Sequence, residues 1–155
     1  MKKILWLDDE PVSISYEKDV LIPDNFDDNL FEIKAFDMID ELLEYISKNK
    51  INKDDIFIID IMLVGEERII TPKKDIIEIK NDLMAGATLY SDFFKENFPN
   101  NVFILYTSRE NEEVIFQNIM HEPKFGKTLF MIEKSQKDTE LLKILGKFLQ
   151  KVKND

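Results

Sequence analysis

Ile56-Phe57-Ile58-Ile59-Asp60 is an unbroken apolar run closed by a carboxylate. β-Branched and aromatic residues at every position suit a strand buried on both faces, whereas a half-solvated strand would alternate apolar with polar. The run reads as the central strand of a parallel sheet. An acid at its end sits at the sheet's carboxyl edge, where open α/β sheets place their ligands. Taken alone, Asp60 reads more readily as the cap of a turn after a core strand, since Asp favours turns.

Four further strands are read around it: Lys3 to Leu7, Leu30 to Phe36, Val102 to Tyr106 and Thr128 to Ile132. Pro11 stops the first and suits the opening turn of a helix over Val12 to about Ile22, with Ile14, Val20 and Leu21 available for its buried side. Pro23-Asp24-Asn25 reads as loop. Asp37 is a candidate cap for a second helix, marked by Ile39, Leu42, Leu43 and Ile46. A third helix is expected over Ala87 to Asn97, with Tyr90, Phe93, Phe94 and Asn97 on one side, and a fourth over Asn111 to Met120. In the fifth, Leu141, Leu142, Leu145, Phe148, Leu149 and Val152 form one stripe. Strands alternating with helices call for an α/β protein, a five-stranded parallel sheet with helices on both faces.

The composition narrows the function. At 155 residues the chain is expected to form a single domain, 1–155, able to bury a core without staples. With no cysteine it has no thiolate metal site, and the absence of disulfides suits a reducing compartment. No signal peptide or membrane span is legible, so a cytoplasmic protein is expected. Thirty-one acids against twenty-one bases give a net charge of −10, which opposes nucleic-acid binding. Lys143, Lys147, Lys151 and Lys153 fit the wet face and last turns of the final helix.

In a parallel sheet, residues at successive strand ends share one edge. The first strand delivers Asp8 and Asp9, the third Asp60, the fourth Thr107 and Ser108, and the fifth Lys134. Close carboxylates repel by about 4 kcal/mol at about 4 Å with an effective dielectric near 20. A cation must therefore sit among them. Lys134 supplies one charge, and an all-oxygen site without histidine or cysteine suits a hard divalent ion such as Mg²⁺. A carboxylate able to attack phosphorus, a metal, an ammonium and a hydroxyl together make a phosphoryl-transfer site. Each piece alone has a plainer use: Asp8-Asp9-Glu10-Pro11 as a helix start, Thr107-Ser108-Arg109-Glu110 as a capping loop, Lys134 as a surface lysine. Their joint placement favours the functional reading.

Leu5-Trp6-Leu7-Asp8-Asp9-Glu10-Pro11, Ile58-Ile59-Asp60-Ile61-Met62-Leu63, Phe103-Ile104-Leu105-Tyr106-Thr107-Ser108 and Ile132-Glu133-Lys134 resemble the receiver domain of two-component response regulators. The resemblance implies a flavodoxin-like, doubly wound fold with strand order 2-1-3-4-5. It makes Asp60 the phosphoacceptor. Asp9 and Asp60 would bind Mg²⁺ directly with the backbone carbonyl of Met62, and Asp8 through a water. Thr107 would hydrogen-bond the phosphoryl group and Lys134 would pair with one of its oxygens. The donor would be a sensor histidine kinase or phosphotransfer protein. Such a switch is no enzyme toward other substrates; it catalyses only its own phosphorylation and dephosphorylation. The chain ends at Asp155, directly after the fifth helix, so a stand-alone receiver signalling to a downstream protein target is expected, its output face roughly Asn111 to Val152.

Family members commonly carry proline after the lysine and an aromatic three residues before it; here Ser135 and Met131 occupy those places. A phosphorylation-independent pseudo-receiver is therefore the alternative. A phosphatase of the haloacid dehalogenase type is disfavoured, because Asp60-Ile61-Met62 lacks the second acid. The larger departure is an insertion at about 64–82, before Gly86, which resembles the glycine that opens the family's third helix. Isoleucine-rich runs flank Pro72-Lys73-Lys74, favouring a hairpin over a short helix. It could be a lid, a docking surface or a tolerated surface insertion. His121, the only histidine, reads as a surface or capping residue.

Overall fold

The computed structural model describes residues 1–63, 68–79, 85–107, 114–134 and 137–151. The chain is an α/β protein. Strands β1 (Lys2–Leu7), β2 (Phe31–Phe36), β3 (Ile56–Asp60), β6 (Val102–Thr107) and β7 (Leu129–Glu133) form a parallel sheet in the order β2-β1-β3-β6-β7. The order expected from the sequence, 2-1-3-4-5, differs from this because the chain's sixth and seventh strands take the places beyond β3. The cause lies in the segment after Asp60. It supplies two further strands, β4 (Arg68–Ile70) and β5 (Ile76–Glu78), which among the described residues pair only with each other.

Every residue of β3 is buried, as its unbroken apolar run requires. Alternate side chains enter two cores. Leu5, Leu7, Phe57, Ile59, Phe103 and Leu105 meet helix α2 (Ile39–Lys48) and helix α3 (residues 85–97) on one face. Ile4, Trp6, Ile56, Ile58, Ile104 and Tyr106 meet the first and last helices on the other. Phe57 anchors an aromatic cluster with Phe94, Phe98 and Phe103, ring centroids 4.8–5.4 Å apart.

The helices depart from expectation at their ends. Helix α1 runs over residues 11–25, opening with a 3₁₀ turn at Pro11–Ile14 and widening into a π turn at Glu17–Leu21. It continues through Pro23, expected to lie in a loop, as Ile22–Asn25. Proline removes a donor and crowds the preceding turn, and the wider π turn just before it accommodates both effects. Val20, expected on the buried side, is exposed, while Ile14 and Ile22 are buried. Met38 rather than Asp37 precedes α2, and no side chain caps it. Helix α3 begins at Ala85 and carries its own π turn at Tyr90–Phe94. Of the fourth helix, α4 (Val114–Met120) is described; residues 111–113 lie outside the described residues.

The last helix, α5 (Lys137–Leu145), is shorter than its stripe suggested. Gly146, a poor helix former, follows it, and Phe148 and Leu149 pack from a turn. Asp27 N–H then donates to Gln150 O at 2.9 Å, tying the C-terminal segment to the end of α1. Lys147 and Lys151 therefore lie beyond the helix expected to hold them, and Val152 and Lys153 are outside the described residues. Among the described residues no helix is long and apolar enough to cross a membrane.

The hairpin is closed by Pro72-Lys73-Lys74. Thr71 N–H donates to Asp75 O at 2.8 Å, Lys74 N–H to Thr71 O at 2.9 Å, and Lys74 has φ 69°. Pro72 suits the first turn position, and the left-handed residue after the turn matches the right-handed twist of the strands. Ile69 and Ile77 face the core with Ile79, while Ile70 and Ile76 face outward. At the sheet's other edge, fully buried Asp55 accepts the N–H groups of Lys3 and Asn52 at 2.9 and 2.8 Å. This carboxylate secures the amino ends of β1 and β3.

Candidate functional site

The parallel sheet sends the ends of β1, β3, β6 and β7 to one edge. Leu7 lies beside Ile59, Asp60 beside Tyr106, and Thr107 beside Glu133. Asp8, Asp9, Asp60 and Lys134 thus come together from segments far apart in the chain. A carboxylate oxygen from each of Asp8, Asp9 and Asp60 lies within 4.8 Å of the others. Lys134 Nζ donates to Asp60 Oδ2 at 2.9 Å.

Local backbone holds these groups still. Asp60 Oδ1 accepts the N–H of Met62 at 3.1 Å, and Asp8 Oδ1 accepts that of Glu10 at 2.8 Å. Both are turns in which an Asp side chain bonds its own chain two residues on, so Asp60 also fills the turn role its residue type favours. Ile61 N–H donates to Tyr106 O at 2.9 Å, and Gly86 N–H to Ile61 O at 2.8 Å. A Cβ on Gly86 would fall 2.0 Å from Asp60 O. The start of α3 therefore lies against the phosphoacceptor candidate's own backbone, a contact that the sequence suggested only through the position of the glycine.

The electrostatics are those of a site short of positive charge. Burial is the main influence on Asp60, whose carboxyl is pushed up from an ordinary 3.8 to about 6; Lys134 and the Met62 N–H oppose that, and Asp8 adds to it. Burial also raises Asp8, against the Glu10 N–H and Lys134, with Asp9 and Glu10 adding repulsion. For Lys134 burial favours the neutral amine, but the hydrogen bond and charge of Asp60 and the charges of Asp8 and Asp9 outweigh it and hold the ammonium above its ordinary range. Among the described residues, buried Asp8 Oδ2 has no hydrogen-bond partner. A buried acceptor left unmatched beside two more carboxylates can be satisfied by a cation.

This acidic cluster could hold a metal ion. Oxygens around one small divalent ion at about 2.1 Å lie at most about 4.2 Å apart, so the cluster needs only slight side-chain adjustment. No protein-family model matches the chain, and no curated protein matches it. Among solved structures it is similar to a fusion described as carrying the yeast Spc42 trimeric coiled coil, amino acids 181–211. The likeness has a TM-score of 0.61 at 13% identity and covers 95% of this chain and 74% of the other. It shows a shared fold.

Of the other residues singled out in the sequence, Thr107 closes β6, but the role expected of its side chain falls outside what is described; Ser108, Arg109, Glu110 and Ser135 lie outside the described residues. Met62 is half-buried at the site's rim, with its N–H on Asp60. Met131 is half-buried against the core shared with α2 and α3. His121 is exposed at the end of α4, with Nδ1 2.7 Å from Gln117 O. Val12, Tyr16 and Val20 of α1 are exposed apolar residues to which the sequence assigned no surface role. Their spacing of four is visible in the sequence, but an inward assignment of Val20 hides it.

Proposed function

We propose that this chain is a phosphoaccepting receiver domain with a flavodoxin-like fold. It takes a phosphoryl group from a histidine kinase or phosphotransfer protein onto Asp60 and signals by protein contact. The observation that carries this reading is the buried Asp60 carboxylate, bonded to Lys134 on one oxygen and grouped with Asp8 and Asp9. The neighbour relations of the parallel strands and the four motifs at their ends agree with it. Exposed apolar side chains on α1, the helix that follows Asp8 and Asp9 in the chain, would suit a protein donor.

In the forward step an Asp60 oxygen bonds to phosphorus as the P–N bond of a phosphohistidine breaks, and the departing imidazole takes up a proton. Asp9 and Asp60, with the carbonyl of Met62, would hold Mg²⁺ directly and Asp8 would hold it through a water; the ion supplies charge neutralisation at the phosphoryl oxygens. Lys134, already at hydrogen-bond distance from Asp60, neutralises charge on the transferred group. Thr107 would donate its hydroxyl to a phosphoryl oxygen. Attack by water on phosphorus restores the carboxylate and releases inorganic phosphate.

The test is intact-protein mass after incubation with acetyl phosphate. One phosphoryl adduct is expected with Mg²⁺ and none with EDTA. If a phosphorylated kinase also fails as donor, the chain is instead a phosphorylation-independent binding module.

A further inference from the structure

We infer that the cleft between the β4–β5 hairpin and α2 is a docking site for an extended peptide segment of a partner protein. The segment would carry an acidic and a basic side chain on either side of an apolar one. This is separate from the phosphoryl chemistry at Asp60.

The cleft has a volume of about 420 Å³, and its two walls carry opposite charge. Helix α2 contributes Asp40, Leu43 and Glu44, and the hairpin contributes Arg68, Ile70 and Lys74. Among the described residues no ion pair crosses the cleft: Glu44 pairs with Lys48 on its own helix at 2.6 Å, and Asp40, Arg68 and Lys74 form none. Opposite charges on two walls that also carry apolar side chains match a dipolar occupant better than a uniformly charged one.

Two features mark the hairpin wall as built for contact. Ile70 and Ile76 are cross-strand partners and stand 56% and 59% exposed, an apolar pair continuous with the cleft. Lys74 is, among the described residues, the one non-glycine residue with positive φ, at the turn position where glycine is the least strained choice. That left-handed turn sets Lys74 on the cleft's wall, where its ammonium can meet an acidic side chain of the segment. Among the described residues β4 and β5 each have a ladder partner on one side only, so a third strand could be added along the hairpin.

The test titrates the full chain with acetyl-Glu-Leu-Lys-amide and acetyl-Lys-Leu-Glu-amide, following amide NMR shifts. Saturable shifts at Leu43, Ser47 and Ile70 are expected with at least one of the two, at a dissociation constant on the order of 0.1–1 mM for so small a ligand. Arg68→Glu should abolish them, and Lys74→Gly, which relieves the turn, should weaken binding about fivefold through one lost exposed charge contact. The Asp60→Asn variant should bind the peptide like the parent, which separates this outcome from that of the receiver reading. Absence of saturable shifts, equal binding of acetyl-Glu-Leu-Glu-amide and acetyl-Lys-Leu-Lys-amide, or self-association through this cleft without peptide would each overturn the proposal.

Discussion

Asp60→Asn is expected to stabilise the metal-free protein at neutral pH, although it removes the proposed phosphoacceptor. Asp60 is buried, and its carboxyl is raised from 3.8 to about 6. A carboxyl raised on folding favours the protonated folded state. Its penalty is absent below about pH 4, grows as pH rises toward 6, and is complete above that, where it amounts to about 3 kcal/mol. Asn is uncharged, and its carbonyl can still accept from Lys134, although its NH₂ cannot replace the oxygen that accepts from Met62 N–H, which offsets part of the gain. In EDTA the parent should therefore lose stability between pH 4 and 7 relative to the variant, the reverse of an ordinary salt-bridged carboxylate. Mg²⁺ at about 100 times its dissociation constant should return about 2.7 kcal/mol to the parent and much less to the double variant Asp8→Asn/Asp60→Asn, which lacks two of the three carboxylates. Urea denaturation across pH, with and without Mg²⁺, measures all of this. A single variant less stable than the parent in EDTA at pH 7 would show that the buried charge is already matched.

Gly86→Ala should have the largest effect of any small substitution near the site. Its Cβ would lie 2.0 Å from Asp60 O, and 2.8 Å from both Asp60 C and Ile61 Cα, all of them backbone. No rotamer change relieves that contact, so either α3 or the end of β3 must move. A cost of about 3 kcal/mol is expected, at the upper end for overpacking. Displacing the Asp60 backbone by about 1 Å should also slow phosphorylation by acetyl phosphate about 100-fold. Gly146→Ala is the control, because its Cβ meets Leu142 O at 3.1 Å, far from Asp60 in the chain. A Gly86→Ala protein that melts and phosphorylates like the parent would contradict the close approach.

Strand β3 is legible in the sequence because burial on both faces leaves an unbroken apolar run, and the site follows from it because parallel strands bring their ends to one edge. The hairpin is legible too, since Pro72 and the flanking isoleucines carry local turn and strand chemistry. Other features have no such local signal. Helix α1 passes through Pro23 only because its hydrogen bonding widens at Glu17–Leu21. Helix α5 stops at Leu145 although its apolar stripe continues, because Phe148 and Leu149 reach the same core from a turn. The cleft joins Asp40 and Glu44 to Arg68 and Lys74, and no spacing within either segment announces that the other faces it.

The most direct measurement is to locate the phosphoryl group. After incubation with acetyl phosphate and Mg²⁺, borohydride reduction converts an aspartyl phosphate to homoserine, and peptide mass spectrometry places the change. Homoserine is expected at position 60 and at no other acid, with none formed in EDTA. Reduction at Asp8, Asp9 or elsewhere, or no reduction in a protein that binds Mg²⁺, would contradict Asp60 as the acceptor.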